Sequence, residues 1–257
     1  MIATSTDFVW HARDEVVNHV LVHRLSLYSS SSATAEPQEF QIIDTPLDLI
    51  ANPYSPYVLI IHANGKAILC HGSTFSQFCC GRGQIISHFI VFIRTGQLVA
   101  KCLRTGVERE LGLASDSFAC GEHCIFTDTF VIDTRTWVKT DQSHQGRIVC
   151  AGSDTDVFVE REGQIWLGDS CLCRAAEPKS VRARRGYMMV DNTVYSWLGI
   201  VAQDLDRPCA FAPNDDSLLF CNGEWVALEA RAVVASTGSI YSRLFTTGGR
   251  MKCIRIF

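Results

Sequence analysis

The feature that most constrains the fold of this chain is a β-hairpin pattern that recurs about every 30 residues. Each copy has a short apolar run, a turn, and a second run in which apolar and polar residues alternate. Glycine and asparagine accept positive φ at little steric cost, so they are typical of tight hairpin turns. The predicted turns, six at similar steps and a seventh after a shorter one, are Gly65, Gly96, Thr134, Gly163, Asn192, Gly223 and Gly238.

Repeated hairpins without helices predict an all-β fold, and among such folds a β-propeller. One hairpin cannot bury its apolar face alone, whereas hairpins arranged around an axis each cover a neighbour. We expect the ring to be closed by N- and C-terminal strands. Either the last blade is truncated, or the strand around HVLVHRLSLY, residues 19–28, completes it. The alternative fold is a β-sandwich or barrel whose hairpins happen to fall at even spacing.

Composition favours one folded domain over residues 1–257, with an exposed low-complexity loop at residues 29–38. The chain is 47% hydrophobic and 19% charged, which is typical of a globular protein. Its net charge of −4 gives no global attraction to nucleic acid or to an anionic membrane, so direct nucleic-acid binding is not expected. The longest charge-free apolar stretch, Gln84 to Ile93, is about half of the ~20 residues that a spanning helix needs, so no membrane span is predicted.

The 12 cysteines do not form the pattern of a disulfide framework. Cys79 and Cys80 are adjacent, and others are scattered singly along the chain. The first residues lack a basic segment followed by an apolar core, so no secretory signal is predicted. We therefore expect reduced thiols packed as small apolar groups, and an intracellular location, nuclear or cytoplasmic.

Two segments carry a resemblance to a known repeat. AGSDTDVFVEREGQIWLGD, residues 151–169, has small residues at its start, an acidic-glycine turn at Glu162–Gly163, and an aromatic strand with Trp166 and Gly168 at its end. DNTVYSWLG, residues 191–199, has a similar ending. This pattern resembles the repeat of the regulator-of-chromosome-condensation family. The resemblance implies a propeller of seven short blades that serves as a protein-binding platform, and in some members promotes nucleotide exchange on a small GTPase.

One basic cluster is a candidate binding site. The segment KSVRARRG contains Lys179, Arg182, Arg184 and Arg185 in an otherwise acidic protein. Such a cluster could contact an acidic partner or phosphate groups. The alternative is a solvated loop between two blades.

Possible zinc ligands occur at Cys120, His123 and Cys124, together with Cys171 and Cys173. A structural zinc site needs four nitrogen or sulfur ligands, commonly with two to four residues between paired cysteines, and Cys171-x-Cys173 has a gap of only one. The spacing favours cysteines that pack as small strand residues. No metal, cofactor, catalytic residue or small-molecule substrate is predicted.

These observations predict a non-enzymatic protein–protein interaction scaffold, a subunit of a larger intracellular complex whose partners are other proteins. Loops carried on a rigid scaffold commonly provide such binding surfaces. Two alternatives remain open: guanine-nucleotide exchange on a small GTPase, and a hydrolase or lyase with its site in the propeller channel.

Overall fold

The computed structural model describes residues 1–29, 36–42, 44–64, 66–78, 83–113, 117–175, 180–184, 186–197, 201–205, 209–212, 218–221, 224–228, 240–246 and 250–256. Every regular element in these ranges is a β-strand. Successive strands pair antiparallel and form one small sheet after another along the chain.

Each of the first seven sheets along the chain is one blade, and the first strand of each blade lies innermost. The strands of blades 1 to 3 are β1 (Ile2–Thr4), β2 (Phe8–Val17), β3 (Val20–Ser29), β4 (Gln38–Ile42); β5 (Pro46–Ala51), β6 (Tyr57–His62), β7 (Ala67–His71), β8 (Thr74–Phe78); and β9 (Gln84–Ile86), β10 (Phe89–Arg94), β11 (Gln97–Cys102), β12 (Glu108–Leu113). The strands of blades 4 to 6 are β13 (Phe118–Cys120), β14 (Cys124–Thr127), β15 (Phe130–Asp133), β16 (Val138–Asp141); β17 (Arg147–Ala151), β18 (Val157–Arg161), β19 (Gln164–Leu167), β20 (Ser170–Arg174); and β21 (Val181–Arg184), β22 (Tyr187–Val190), β23 (Thr193–Ser196), β24 (Val201–Asp204). The remaining described strands are β25 (Cys209–Phe211), β26 (Leu218–Cys221) and β27 (Glu224–Ala227) of blade 7, and a separate hairpin of β28 (Ile240–Thr246) and β29 (Arg250–Ile256).

The innermost strands stand side by side around a central axis. Neighbours in the series β1, β5, β9, β13, β17 and β21 contact one another, and β1 also contacts β25. The Thr4 hydroxyl donates to the Phe211 carbonyl at 2.8 Å, and Arg182 Nη1 donates to the Cys209 carbonyl at 3.1 Å. The strand at the N-terminus therefore meets the last blade and closes the ring, so the predicted seven-bladed propeller is confirmed.

Among the described residues, seven apolar clusters hold the blades together, one between each pair of neighbours. Between blades 2 and 3, for example, Tyr57, Leu59 and Ile61 of β6 pack against blade 3. The alternate residues Val58 and Ile60 pack against blade 1, so all six residues of β6 are buried. Because both faces of a blade are covered, its second strand is a continuous apolar run rather than an alternating one. This packing explains why apolar runs precede the predicted turns.

The two ends of the propeller carry different connections, and we name them accordingly. The turn face carries the turns between the second and third strands, such as Asn18–His19, Thr95–Gly96 and Glu162–Gly163. Both residues of each of these turns have positive φ, as type I′ hairpins require. The loop face, at the opposite end, carries the loops between the first and second strands, such as residues 52–56 of blade 2.

Two details of the predicted repeat were wrong. Thr134 lies in the connection from β15 to β16, whereas the hairpin turn equivalent to the others in blade 4 is at Asp128–Thr129. The segment HVLVHRLSLY pairs with β2 and β4 in blade 1, so it does not complete the last blade. Blade 1 was missed because its turn, Asn18–His19, lies 47 positions before Gly65, well outside the spacing of about 30 residues between the predicted turns.

Other assignments made from the sequence fall partly or wholly outside the residues that the structure describes. Gly65, Gly223 and Gly238 lie outside the described residues. Within the predicted loop at residues 29–38, Ser29 ends β3, Gln38 begins β4, and residues 30–35 lie outside the described ranges.

One cysteine pair is oxidised, which corrects the expectation that all thiols are reduced. Cys209 and Cys221 form a disulfide between β25 and β26. The two residues are direct cross-strand partners with Cα atoms 4.4 Å apart, a separation that a disulfide can bridge. Sequence spacing alone does not reveal this pairing, because it depends on the strand register.

Nothing in the described part of the chain forms a helix long and apolar enough to cross a membrane.

Candidate protein-interaction surface and central channel

The hairpin of blade 1 ends in exposed apolar side chains at the turn face. β2 and β3 have ten residues each and pair along their whole length. β1 pairs only with Val9–His11, and β4 only with His23–Leu27, so the hairpin tip has no strand beside it. Val16 is 68% exposed, and Val20 and Leu21 are exposed beside it. Exposed branched apolar residues at such a tip have no role in the interior.

Neighbouring blades expose apolar side chains on the same face. Leu47 lies near the start of β5, Ile93 near the end of β10, and Leu113 at the end of β12, where it is 74% exposed. With the three residues of the hairpin tip they form the turn-face apolar group: Val16, Val20, Leu21, Leu47, Ile93 and Leu113. All six belong to blades 1 to 3. A contiguous exposed apolar patch typically marks an interaction site, and this group is the candidate for one on this face.

A cavity of about 320 Å³ occupies the central channel and is lined by residues of the innermost strands. Its polar lining includes Thr4, Asp48, Gln84 and Arg182. Gln84 is already engaged, because its amide bonds the Phe118 carbonyl at 2.8 Å and the Cys120 N–H at 3.0 Å. Two charged groups of the cavity lining, Asp48 and Arg182, lie nearest the turn face.

Arg182 lies within the ring of inner strands, yet its side chain is exposed to the channel space. Loss of hydration at this depth lowers the pKa of its guanidinium, while Asp48 partly opposes that effect. The hydrogen bond to the Cys209 carbonyl is its contact with blade 7. Among the described residues, no carboxylate lies within ion-pair distance of it.

At the loop face, the loop of blade 2 reaches across the channel. The Asn52 side chain donates to the carbonyls of Ile85 at 2.8 Å and Gly121 at 3.1 Å, in blades 3 and 4. The Tyr54 hydroxyl donates to the Gly152 carbonyl of blade 5 at 2.8 Å. These bonds tie four blades together.

Two residues of the predicted basic cluster, Arg182 and Arg184, lie in a strand rather than in an exposed loop. Arg182 and Arg184 belong to the innermost strand of blade 6, two residues apart and thus on the same side. Arg184 is buried, with its guanidinium 5.8 Å from the Tyr54 ring centre. Lys179 and Arg185 lie outside the described residues.

The channel thiols are poor nucleophiles. Cys120 and Cys150 both line the cavity. Burial raises the pKa of each far above its usual value, which keeps the sulfur protonated. Because the thiolate is the reactive form, these positions do not favour covalent catalysis.

The structure does not gather the cysteines of the hypothetical zinc site. Cys120 is buried on an inner strand, whereas Cys171 is exposed on the outer strand of blade 5. Instead, ligand atoms of Glu122, His123 and Asp154 lie within 4.8 Å of one another.

The carboxylate in that cluster already has a structural role. Asp154 Oδ1 accepts the backbone N–H groups of His123 at 2.6 Å and Cys124 at 2.9 Å, and so joins the loops of blades 4 and 5. A Cβ atom at Gly121 would lie 2.6 Å from the Ser153 carbonyl oxygen, so glycine is required for this close approach. The cluster is explained by the joint between the two blades.

Comparison with known proteins shows the fold alone. The chain is similar to a solved structure titled "Structure of U3-55K", with 10% identity over 85% of this chain and 86% of that chain, and a TM-score of 0.50. It is also similar to a chain of "Crystal Structure of Mitotic Checkpoint Complex", with 12% identity, 88% and 85% coverage, and a TM-score of 0.52. No protein-family model matches the chain, and no curated protein sequence is significantly similar to it.

Proposed function

We propose that this protein is a non-enzymatic protein–protein interaction scaffold and a subunit of a larger intracellular assembly. The observation that carries the proposal is the turn-face apolar group on blades 1 to 3. Burial of such side chains against a partner removes apolar area from water and stabilises the complex by about 25 cal/mol per Å² before the costs of association. The membership of one similar propeller in the Mitotic Checkpoint Complex supports a role in an assembly.

The narrower hypotheses have less support. Membership of the regulator-of-chromosome-condensation family stays a prediction, because the similar structures support a propeller in general. Nucleotide exchange on a small GTPase, and a hydrolase or lyase activity in the channel, also stay predictions. The protonated state of the two channel thiols favours binding over covalent chemistry.

The basic cluster remains a predicted partner-binding site, but substitutions of its two described arginines test different properties. Arg182 is accessible from the channel and can meet a partner group there. Arg184 is buried against Tyr54, so replacing it tests the stability of the propeller rather than binding.

Size-exclusion chromatography of native extract tests the scaffold proposal. The 28.5 kDa chain should elute far above its own mass, and a Val16→Lys/Leu21→Lys variant should shift toward the monomer position. The matched control is Val107→Lys/Val138→Lys, because these valines are similarly exposed but lie at the loop face. Elution of the wild-type chain as a monomer in extract, or an equal shift of both variants, would contradict the proposal.

A further inference from the structure

Arg182 is a cation that the described structure leaves without an acidic partner. Other arginines of this protein lie close to carboxylates: Arg13 to Glu39 at 2.7 Å, Arg135 to Asp133 at 2.6 Å, and Arg147 to Glu160 at 3.5 Å. Arg182 is also exposed, but to the channel space inside the ring of inner strands rather than to the outer surface. A cation that faces the channel with no anion within 4 Å among the described residues is therefore a site that favours an incoming negative group.

The donors of Arg182 suit a carboxylate. A guanidinium has five N–H groups in a planar fork, and one nitrogen of Arg182 bonds the Cys209 carbonyl. The remaining donors can hold a carboxylate through two parallel hydrogen bonds. Asp48 acts on the pKa of Arg182 from the opposite side of the ring, on β5, but it lies beyond ion-pair distance.

The residues at the two ends of the channel determine from which face a carboxylate can enter it. At the loop face, Asn52 and Tyr54 cross the channel and are bonded to three other blades. Arg182 lies near the turn-face end of its strand, the end that carries the exposed apolar side chains. A cavity of about 320 Å³ has room for a side chain or a short segment, but not for a folded domain.

We propose that Arg182 is the receptor for one aspartate or glutamate side chain, which an extended segment of the partner protein inserts into the channel from the turn face. The segment combines this acidic residue with apolar residues that pack on the turn-face apolar group. The proposal rests on the scaffold function proposed above and assigns the chemistry of the partner. The carboxylate forms with Arg182 the ion pair that Asp48 does not.

Selection of peptides tests this recognition directly with the full purified chain. The probe is a library of blocked peptides about eight residues long, long enough to run from the rim into the channel, in which the flanking positions are randomised. One half of the library has glutamate at the centre and the other has glutamine. We expect enrichment of the glutamate half and of apolar flanking residues. Arg182→Gln should weaken peptide binding about tenfold or more, because the free energy of a hydrogen bond to a charged group corresponds to about that change in affinity.

Three variants separate recognition from folding. Arg147→Gln removes an arginine from another inner strand, where Glu160 is already its partner, and it should leave peptide binding unchanged. Asp48→Asn removes a competing negative charge and should strengthen binding of the glutamate peptides about two- to fivefold, by a difference of up to ~1 kcal/mol. Arg182→Lys keeps the charge without the fork and should retain only part of the binding. A purely structural role for Arg182 does not predict a gain on replacing Asp48.

Several results would overturn the proposal. These are selection of no peptides, equal enrichment of both halves, binding that Arg182→Gln leaves unchanged in a folded variant, and displacement by millimolar inorganic phosphate as strong as that by the peptide. If Arg182→Gln keeps the native assembly intact while Val16→Lys/Leu21→Lys releases it, the scaffold function stands and the acidic-peptide site does not. If neither change affects the assembly, both proposals fail.

Discussion

Blades 1 to 3 use their two ends in different ways. At the loop face, the Asn52 side chain bonds carbonyl groups of blades 3 and 4, and Tyr54 bonds blade 5. At the turn face the same blades expose Leu21, Leu47 and Leu113 to solvent. Both sets of residues lie at the ends of strands, but the first satisfies buried backbone groups and the second does not contribute to the interior.

This difference separates two tasks within one scaffold. Polar contacts that cross several blades fix the ring, because each buried carbonyl that lost its donor would cost free energy. The apolar side chains at the other end are free of that requirement, so their positions are available for a partner. Substitutions at the loop face should therefore change stability, and substitutions at the turn face should change assembly.

The largest effect on the free energy of unfolding is expected in β3, a strand that contributes both to the interior and to the turn face. Leu25 and Leu21 both belong to β3, but Leu25 is completely buried between blades 1 and 2, whereas Leu21 is 57% exposed. Leu25→Ala should lower the free energy of unfolding by about 2–5 kcal/mol through lost burial and a cavity. Leu21→Ala should change it by less than about 0.5 kcal/mol. Urea denaturation followed by circular dichroism measures both, and similar losses would contradict the division of β3.

A second comparison uses asparagines at opposite faces. Asn52→Ala removes two donors from buried carbonyls and should cost about 3 kcal/mol. Asn64→Ala removes a side-chain contact to the Lys66 N–H in an exposed turn and should cost less than about 1 kcal/mol. The same urea experiment distinguishes them. An Asn52→Ala loss no larger than that of Asn64→Ala would show that the loop across the channel does not hold the ring.

The turn-face end of blade 7 has a covalent tie. The disulfide joins the first residue of β25 to the last residue of β26, at a sequence separation of 12. Loss of a cross-link over a loop of this length should destabilise the protein by about 2–3 kcal/mol. Thermal unfolding with and without dithiothreitol measures the effect, and Cys209→Ala/Cys221→Ala is the control in which reductant should have no further effect. Alkylation of both cysteines without prior reduction would contradict the bond.

The sequence predicted the propeller because its period follows from packing. Apolar runs such as Tyr57–His62 are continuous since both sides of each blade are covered, and positive-φ turns such as Glu162–Gly163 mark where the chain reverses. Both signals are local. Blade 1 was missed because Asn18 and His19 make the same reversal outside the regular spacing, 47 positions before Gly65.

The candidate sites were harder to place because they depend on position around the ring. The charged segment containing Arg182 and Arg184 was interpreted as a surface cluster or a loop, but its described part, Val181–Arg184, forms an inner strand. Inner strands border the channel, so their channel-facing side can carry charged residues. The second strands of the blades, such as β6, are covered on both faces and are apolar instead. No spacing rule relates Arg182 to Asp48, which is four blades away along the chain. Likewise, only the strand register reveals that Cys209 faces Cys221.

A smaller effect is expected from the buried part of the strand that also forms the exposed hairpin tip. β2 carries Val16 into solvent and His11 into the interface with blade 7, where its ring lies 6.1 Å from that of Phe220. Burial is the main reason that the pKa of His11 falls from 6.5 to about 4. The unfolded chain therefore binds this proton at a higher pH than the folded protein does. The contribution of neutral His11 to stability is fully present above pH ~6.5 and is lost as the pH falls toward 4.

Urea unfolding at several pH values tests this buried position. Between pH 7 and 5 the wild-type protein should lose about 2 kcal/mol of stability through His11. His11→Gln should reduce the slope without abolishing it, because burial also lowers the pKa of His88 and His144. An unchanged slope in His11→Gln would show that His11 is hydrated, and that blade 1 is open to solvent well below its exposed tip.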